Sequence, residues 1–80
     1  MIVNGTRTAM IMLHVKDSRA LAWQADLLDR KPLGVQKETV FRRDLNACIY
    51  DLKAVFEDGH RVTKQRIDLC KSPRYILGDF

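Results

Sequence analysis

The chain of 80 residues lacks any long apolar run. Its most apolar stretch, residues 10–13, is too short to cross a membrane and lies within strand-like sequence. We therefore predict no membrane span. No secretory signal is visible at the amino terminus. The sequence also lacks a nucleophile elbow, a phosphate-binding loop and a dinucleotide fingerprint. We predict a protein that is not an enzyme and has no catalytic residues and no cofactor.

Glutamate is scarce: eight of the ten acidic residues are aspartate and only two are glutamate. Because aspartate favours turns and caps, this bias indicates loops and strands rather than long helices. Fourteen basic residues give a net charge of +4, which permits binding to nucleic acid or to an acidic partner. The basic residues are spread along the chain, so an ordinary solvated surface is the alternative. We find no repeat or linker and predict one domain, residues 1–80.

Cysteine occurs only twice, at Cys48 and Cys70, and there is no C-x-x-C motif. Two thiols that bound a hairpin in so small a domain favour a disulfide and therefore export. The alternative is a pair of buried, reduced thiols in a cytosolic protein. The remaining metal-ligand types are His14 and His60, and no two of these four residues have close ligand spacing. We predict no metal site.

The stretch between the two cysteines organises the chain. Asp58-Gly59 lies between two alternating runs and predicts a hairpin of strands 47–56 and 61–69. Gly59 accepts the positive φ that such a turn requires. In the first strand the residues expected to face the core are Cys48, Tyr50, Leu52, Ala54 and Phe56.

The register of this hairpin is ambiguous. A two-residue loop places Ile67 and Leu69 on the core face but points Cys48 and Cys70 to opposite faces, which prevents a disulfide. A shift of one residue, by a three-residue loop or a bulge, places the cysteines opposite each other and moves the two apolar residues off the core. A bulge within residues 65–70 would meet part of both demands.

Four further segments have strand character: residues 2–3, 8–16, 35–41 and 74–77. The second of these is apolar on both faces, which predicts an interior strand covered on both sides or a strand that meets a partner chain. Together with the hairpin they predict an all-β fold. We expect a small antiparallel β-sandwich or a partly open barrel of five or six strands.

Residues 20–29 predict an irregular loop with one or two helical turns. Trp23, the only tryptophan, is expected to anchor this loop by burial near Leu27, Leu28 and the first long strand, because a short chain needs its large apolar groups in the core. The alternative is an exposed recognition residue, since aromatic side chains are enriched at interface hot spots.

The composition supports two functional hypotheses. The first is a non-enzymatic interaction or structural β module, with an unknown protein partner or self-association through strand edges. The alternative is a small basic β-barrel that binds single-stranded nucleic acid. Ordinary surface and core roles compete with both. The candidate partner-binding residues are Trp23, Asp26, Arg42, Arg43, Lys64 and Arg66.

Several elements together resemble a family of small, uncharacterised bacterial domains that are usually exported. They are Val3-Asn4-Gly5-Thr6, Trp23 with Asp26-Leu27-Leu28, Leu33-Gly34, Cys48-x-Tyr50-Asp51-Leu52-Lys53-Ala54-Val55-Phe56-x-Asp58-Gly59, and Asp68-Leu69-Cys70. The resemblance implies a fold type and a compartment but no activity. We therefore expect a module of the cell envelope, periplasmic or secreted, and a cytoplasmic protein if no leader precedes Met1.

Overall fold

The computed structural model describes residues 1–44 and 46–78. These residues form six strands in two separate three-stranded sheets. The first sheet has the order β3-β1-β6 and the second has the order β2-β4-β5. The all-β prediction is confirmed, and the sheets do not close into a barrel. The strands are β1 (Ile2–Asn4), β2 (Met10–Asp17), β3 (Glu38–Thr39), β4 (Ile49–Phe56), β5 (Arg61–Asp68) and β6 (Tyr75–Leu77).

The core is built from apolar side chains of both sheets. Ile2 and Leu77 come from the first sheet, and Leu13, Leu52 and Phe56 come from the second. All five are almost completely buried. Four of the five predicted core positions in β4 are confirmed, whereas Cys48 is exposed. It precedes β4 and lies at the end of the sheet, where the alternation of the strand no longer directs it inward.

The hairpin of β4 and β5 is confirmed, with a loop of three residues. The Phe56 amide donates to the His60 carbonyl at 2.8 Å, and Gly59 has a φ of +93°. Farther along, Asp51 opposes both Gln65 and Arg66, which forms a bulge in β5. The longer loop and the bulge together set the register, so that Ala54 lies opposite Val62 before the bulge and Tyr50 lies opposite Ile67 after it.

The bulge changes which face of β5 is buried. Val62 packs in the core before it, and Leu69 packs in the core just after the strand ends. Without the extra residue, one of these two side chains would point to solvent, because facing residues share a face of the sheet.

The cysteines form a disulfide with their Cα atoms 5.1 Å apart, as expected. They meet because β5 ends at Asp68 and the chain turns there. The Asp68 carboxylate accepts hydrogen bonds from the amides of Cys70 and Lys71. Cys70 is consequently free of the strand alternation that would otherwise point it away from Cys48.

The prediction that the first long strand is an interior strand covered on both faces is wrong. Of the described strands, β4 alone pairs with β2, and a bulge between Met10 and Met12 leaves Ile11 and Met12 partly exposed. The bulge allows Met10 and Leu13 to be buried together. The second apolar face therefore belongs to the surface.

The free edge of β2 is covered by the loop that follows it. The Leu27 amide donates to the Leu13 carbonyl at 2.7 Å, and Met10 and Leu33 exchange two backbone hydrogen bonds. Residues 20–29 contain no helix, contrary to expectation. Asp29 and Arg30 both have positive φ, which a right-handed helix does not allow.

The first sheet departs from the predicted antiparallel arrangement, because β1 and β6 are parallel. Strand β3 of this sheet is also shorter than the predicted strand 35–41. A reverse turn closed by the Lys37 amide on the Gly34 carbonyl occupies the start of that segment, and Gln36 has a φ of 63°. Only Glu38–Thr39 remains as strand.

Asn4 connects this sheet to the neighbouring loops from a fully buried position. Its side-chain amide donates to the carbonyls of Thr8 and Leu33, and its side-chain oxygen accepts from the Thr6 hydroxyl. All the polar atoms of this buried side chain are therefore satisfied, as burial requires.

Candidate partner-binding surface

The outer face of the second sheet carries the candidate surface. Side chains alternate along a strand, so the residues that do not face the core share this outer face. The register places His14 beside Lys53 and Lys16 beside Asp51 across β2 and β4. The loop after β2 brings Trp23 over these positions. We call the surface of His14, Lys16, Trp23 and Lys53 the Trp23 face.

Two ammonium groups hold the indole of Trp23. Lys16 Nζ lies 5.2 Å and Lys53 Nζ lies 4.9 Å from the ring centroid. Both distances are within the range of cation–π attraction. Trp23 is half-buried and is not part of the core cluster. The predicted burial of Trp23 near Leu27, Leu28 and the first long strand is therefore met only in part, because the indole is half-buried beside Lys16 of that strand and does not join the core cluster.

The apolar anchors of the loop are instead Leu28 and Leu33, which are both buried, with Leu27 packed against them. These smaller side chains close the core on the side of β2. The indole remains on the outer face, where the lysines attract its ring and one part of it stays accessible.

Hydrogen bonds fix the loop on each side of Trp23. His14 Nδ1 donates to the Gln24 carbonyl at 2.7 Å, and Lys16 Nζ donates to the Ala20 carbonyl at 3.0 Å. A carbonyl only accepts, so the proton of the His14 bond is on Nδ1. The indole is thus held between two anchored segments of backbone.

Among the described residues, Asp51 is the buried carboxylate beneath this surface. It accepts from the Ser18 hydroxyl at 2.6 Å and from the Arg66 amide at 3.0 Å, and it pairs with Lys16 Nζ at 3.0 Å. The Ser18 hydrogen bond, followed by those of Arg66 and Lys16, lowers the pKa of Asp51 to about 2. These partners account for the burial of its charge.

Asp26, a predicted partner-binding residue, has a structural role in the loop after β2. Its carboxylate accepts from the backbone amides of Leu13 and Leu28 at 2.9 and 3.0 Å. Burial alone would raise the pKa of Asp26, but these hydrogen bonds outweigh it and leave the pKa lowered. The side chain attaches the loop to the edge of β2.

The other predicted residues are not brought together. Arg42 and Arg43 are exposed on the segment between β3 and β4, and they line an open cleft of about 320 Å³ beside Lys16. Lys64 and Arg66 lie on β5, with β4 between them and β2. The six candidates therefore do not form one continuous site.

Two aromatic side chains near the arginines, Phe41 and Tyr50, could stack on nucleic-acid bases, but they pack against each other. Tyr50 is buried, and its hydroxyl accepts from the Asp44 amide at 2.9 Å. Phe41 packs edge-on against it, with ring centroids 5.1 Å apart. Tyr50 therefore offers no free face for stacking, whereas Phe41 is half-buried and lines the cleft beside Arg42 and Arg43.

Among the described residues, one cluster has the atom types of a metal site: Cys48, Asp68 and Cys70. Both sulfur atoms are in the disulfide. Because the metal ligand is a thiolate, the oxidised pair does not supply ligands of that kind.

Comparison with protein-family models, with curated proteins and with solved structures finds no match to this chain. Within residues 1–44 and 46–78 there is no helix with the length and hydrophobicity needed to cross a membrane.

Sequence reasoning missed the roles of Lys16, Asp51 and Lys53. Their alternation places them opposite the core positions of β2 and β4, and this signal was available. What it does not give is the pairing of the two strands, which brings Lys16 beside Asp51 across a sequence separation of 35 residues.

Proposed function

We propose that the chain is a non-enzymatic protein-binding module of the bacterial cell envelope, and that the Trp23 face is its working surface. One observation carries the proposal. The only tryptophan of the chain lies outside the core cluster and is held half-buried above a sheet by two lysines. Tryptophan is among the residues most enriched at interface hot spots.

The charges around the indole favour a partner with acidic groups. Lys16 is paired with Asp51, but Lys53 has no carboxylate partner in the part of the chain that the structure describes. His14 lies beside it across the strands. An acidic group of a partner would find an unpaired ammonium next to an apolar ring, a combination that gives both orientation and buried area.

The compartment is supported by two features. The disulfide is compatible with an oxidising environment, where such bonds persist. The resemblance to exported bacterial domains, which stays a prediction, points the same way.

Site-specific photo-cross-linking in the producing bacterium tests the proposal. A photoreactive residue at Leu21, which is fully exposed two positions before Trp23, should give a discrete protein adduct in the envelope fraction. The same residue at Val35, which is exposed on the turn that precedes β3, is the matched control. The adduct should disappear in the Trp23→Ala variant.

Three results would contradict the proposal: no adduct at Leu21, equal adducts at both positions, or an adduct that persists without the indole. An adduct recovered only with cytosolic proteins would contradict the envelope assignment alone.

One observation favours the alternative, binding of single-stranded nucleic acid. Arg42, Arg43 and Lys16 line one cleft together with Asp17 and Asp44, which leaves an excess of one basic group at the edge of the Trp23 face. Fluorescence anisotropy with a labelled oligothymidylate at low and high salt tests it, since phosphate contacts make affinity fall with salt. The double change Arg42→Ala and Arg43→Ala should abolish such binding, whereas Lys31→Ala with Lys71→Ala removes the same charge elsewhere.

A further inference from the structure

We propose that the free edge of β5 binds an extended, acidic segment of a protein partner as an added strand. The proposal rests on the proposed function, protein binding by this domain, and names a second surface and the kind of partner segment it fits. The edge differs from the Trp23 face, so each can fail while the other holds.

The edge is open on the side away from β4. In the order β2-β4-β5, strand β5 is last, and the described part of the chain provides no further strand beside it. Arg61, Thr63 and Gln65 are exposed. The opposite edge of the same sheet is treated differently, because the loop after β2 covers it with backbone hydrogen bonds to Leu13 and Met10.

The backbone of β5 presents hydrogen-bonding groups to solvent. The Phe56 amide donates to the His60 carbonyl, so Phe56 and His60 are a hydrogen-bonded pair. Hydrogen-bonded and non-hydrogen-bonded pairs alternate along an antiparallel ladder, which makes Ala54 and Val62 the next hydrogen-bonded pair. The intervening residues Arg61 and Thr63 direct their N–H and C=O groups away from β4. An extended segment can pair with these groups.

The bulge limits the docking edge to about one short strand. At Gln65–Arg66 the ladder is interrupted, and the Arg66 amide is already bonded to the Asp51 carboxylate. The accessible edge therefore runs from Arg61 to Gln65, which suits a segment of similar length.

The charge of the edge selects an acidic segment. Arg61, Lys64 and Arg66 lie on β5, and none of their side chains pairs with a carboxylate among the described residues. The strand has no acidic residue before Asp68, whose carboxylate is used in the turn. A second copy paired through the same edge would oppose like charges, which is unfavourable.

The experiment is an NMR titration of the protein with a capped peptide that alternates glutamate and valine over the length of the edge. The chemical shifts of the Arg61 and Thr63 amides should change with this peptide and stay unchanged with a peptide that alternates lysine and valine. Thr63→Pro removes an outward amide that β4 does not use, and proline is tolerated at such edge positions. It should weaken binding about tenfold, because one main-chain hydrogen bond is lost.

Thr63→Ala keeps the amide and is the matched control, with binding unchanged. Should Thr63→Pro not fold, the double variant Arg61→Glu with Lys64→Glu tests the same edge through charge and should invert the preference between the two peptides. Binding that is unaffected by the proline or the charge reversal would overturn the proposal. So would absence of binding, or a dimer through this edge seen by sedimentation.

The Trp23→Ala variant should bind the acidic peptide as the native chain does. If the peptide fails to bind while the Leu21 cross-link persists, the edge proposal is wrong and the proposed function stands. If the peptide binds while the cross-link is absent, the assignment of the Trp23 face as the working surface is wrong and the edge proposal stands.

Discussion

At the scale of single residues, Asp51 holds together three parts of the fold. Its carboxylate bonds the loop after β2 through Ser18, the bulge of β5 through the Arg66 amide, and β2 through Lys16. Removing its charge leaves the half-buried ammonium of Lys16 and the Arg66 amide with a weaker partner. A side chain in this position contributes to register as well as to stability.

We predict that Asp51→Asn lowers the free energy of unfolding at neutral pH by about 1–3 kcal/mol, the usual range for disrupting a buried hydrogen-bonded group. The folded pKa of about 2 is below the usual 3.8, so this contribution is present above about pH 4 and is lost as pH falls toward 2. Urea unfolding of both proteins across this range measures it. The difference between them should shrink at low pH.

The control for this prediction is Asp29→Asn, a change at an exposed loop carboxyl group. It should have little effect at any pH in this range. A difference between native chain and Asp51→Asn that stays constant down to pH 2 would show that the carboxylate charge is not what matters.

Trp23→Ala should cost the fold less than a core truncation does. The indole is outside the core and gains mainly two cation–π contacts, each of about 0.5–1 kcal/mol at an accessible site. We expect a loss of about 1–2 kcal/mol, against about 2–5 kcal/mol for Leu13→Ala at a fully buried position. Urea unfolding compares the two variants. Equal losses would place Trp23 in the core after all.

At the scale of elements, the hairpin turn depends on Gly59. Its φ of +93° is unfavourable for a β-branched residue, while a Cβ there would meet nothing within 4 Å. Gly59→Val should therefore cost about 1–2 kcal/mol through backbone conformation alone. Gly78→Val, where a Cβ also has open space, is the matched control and should cost much less. Thermal unfolding distinguishes them, and equal effects would contradict the conformational explanation.

The same hairpin shows which features a sequence carries. Strand alternation and Asp58-Gly59 are local signals, and they predict both strands and the buried face of β4 well. The bulge at Arg66 is not local. It is stabilised by a carboxylate on the neighbouring strand that is itself held from β2, so the register follows from tertiary contacts.

Strand β2 and the loop after it illustrate the same limit. An apolar pattern on both faces predicts an interior strand, but a bulge and a covering loop give a protected edge instead. The loop is attached to this edge by a hydrogen bond from the Leu13 amide to the Asp26 carboxylate, across 13 residues of sequence. Trp23 was placed in the core by the same reasoning, because composition does not show that Leu28 and Leu33 already fill that space.

At the scale of the whole molecule, two sheets share one small core and are tied together by contacts distant in sequence. β1 pairs with β6 in parallel, and the amino group of Met1 donates to the Pro73 carbonyl at 2.6 Å. The two ends of the described chain are therefore part of one sheet. In a domain of this size, a covalent tie adds a large share of the total stability.

The disulfide is that tie, and its removal is the last prediction. It closes a loop of 22 residues in separation, for which the chain-entropy model gives about 3 kcal/mol. Reduction, or Cys48→Ala with Cys70→Ala, should lower the urea midpoint accordingly without changing the strands seen by circular dichroism in the remaining folded protein. Intact mass after alkylation, with and without reductant, establishes the redox state. Two free thiols after purification under oxidising conditions would contradict the bond, and with it the main support for an exported protein.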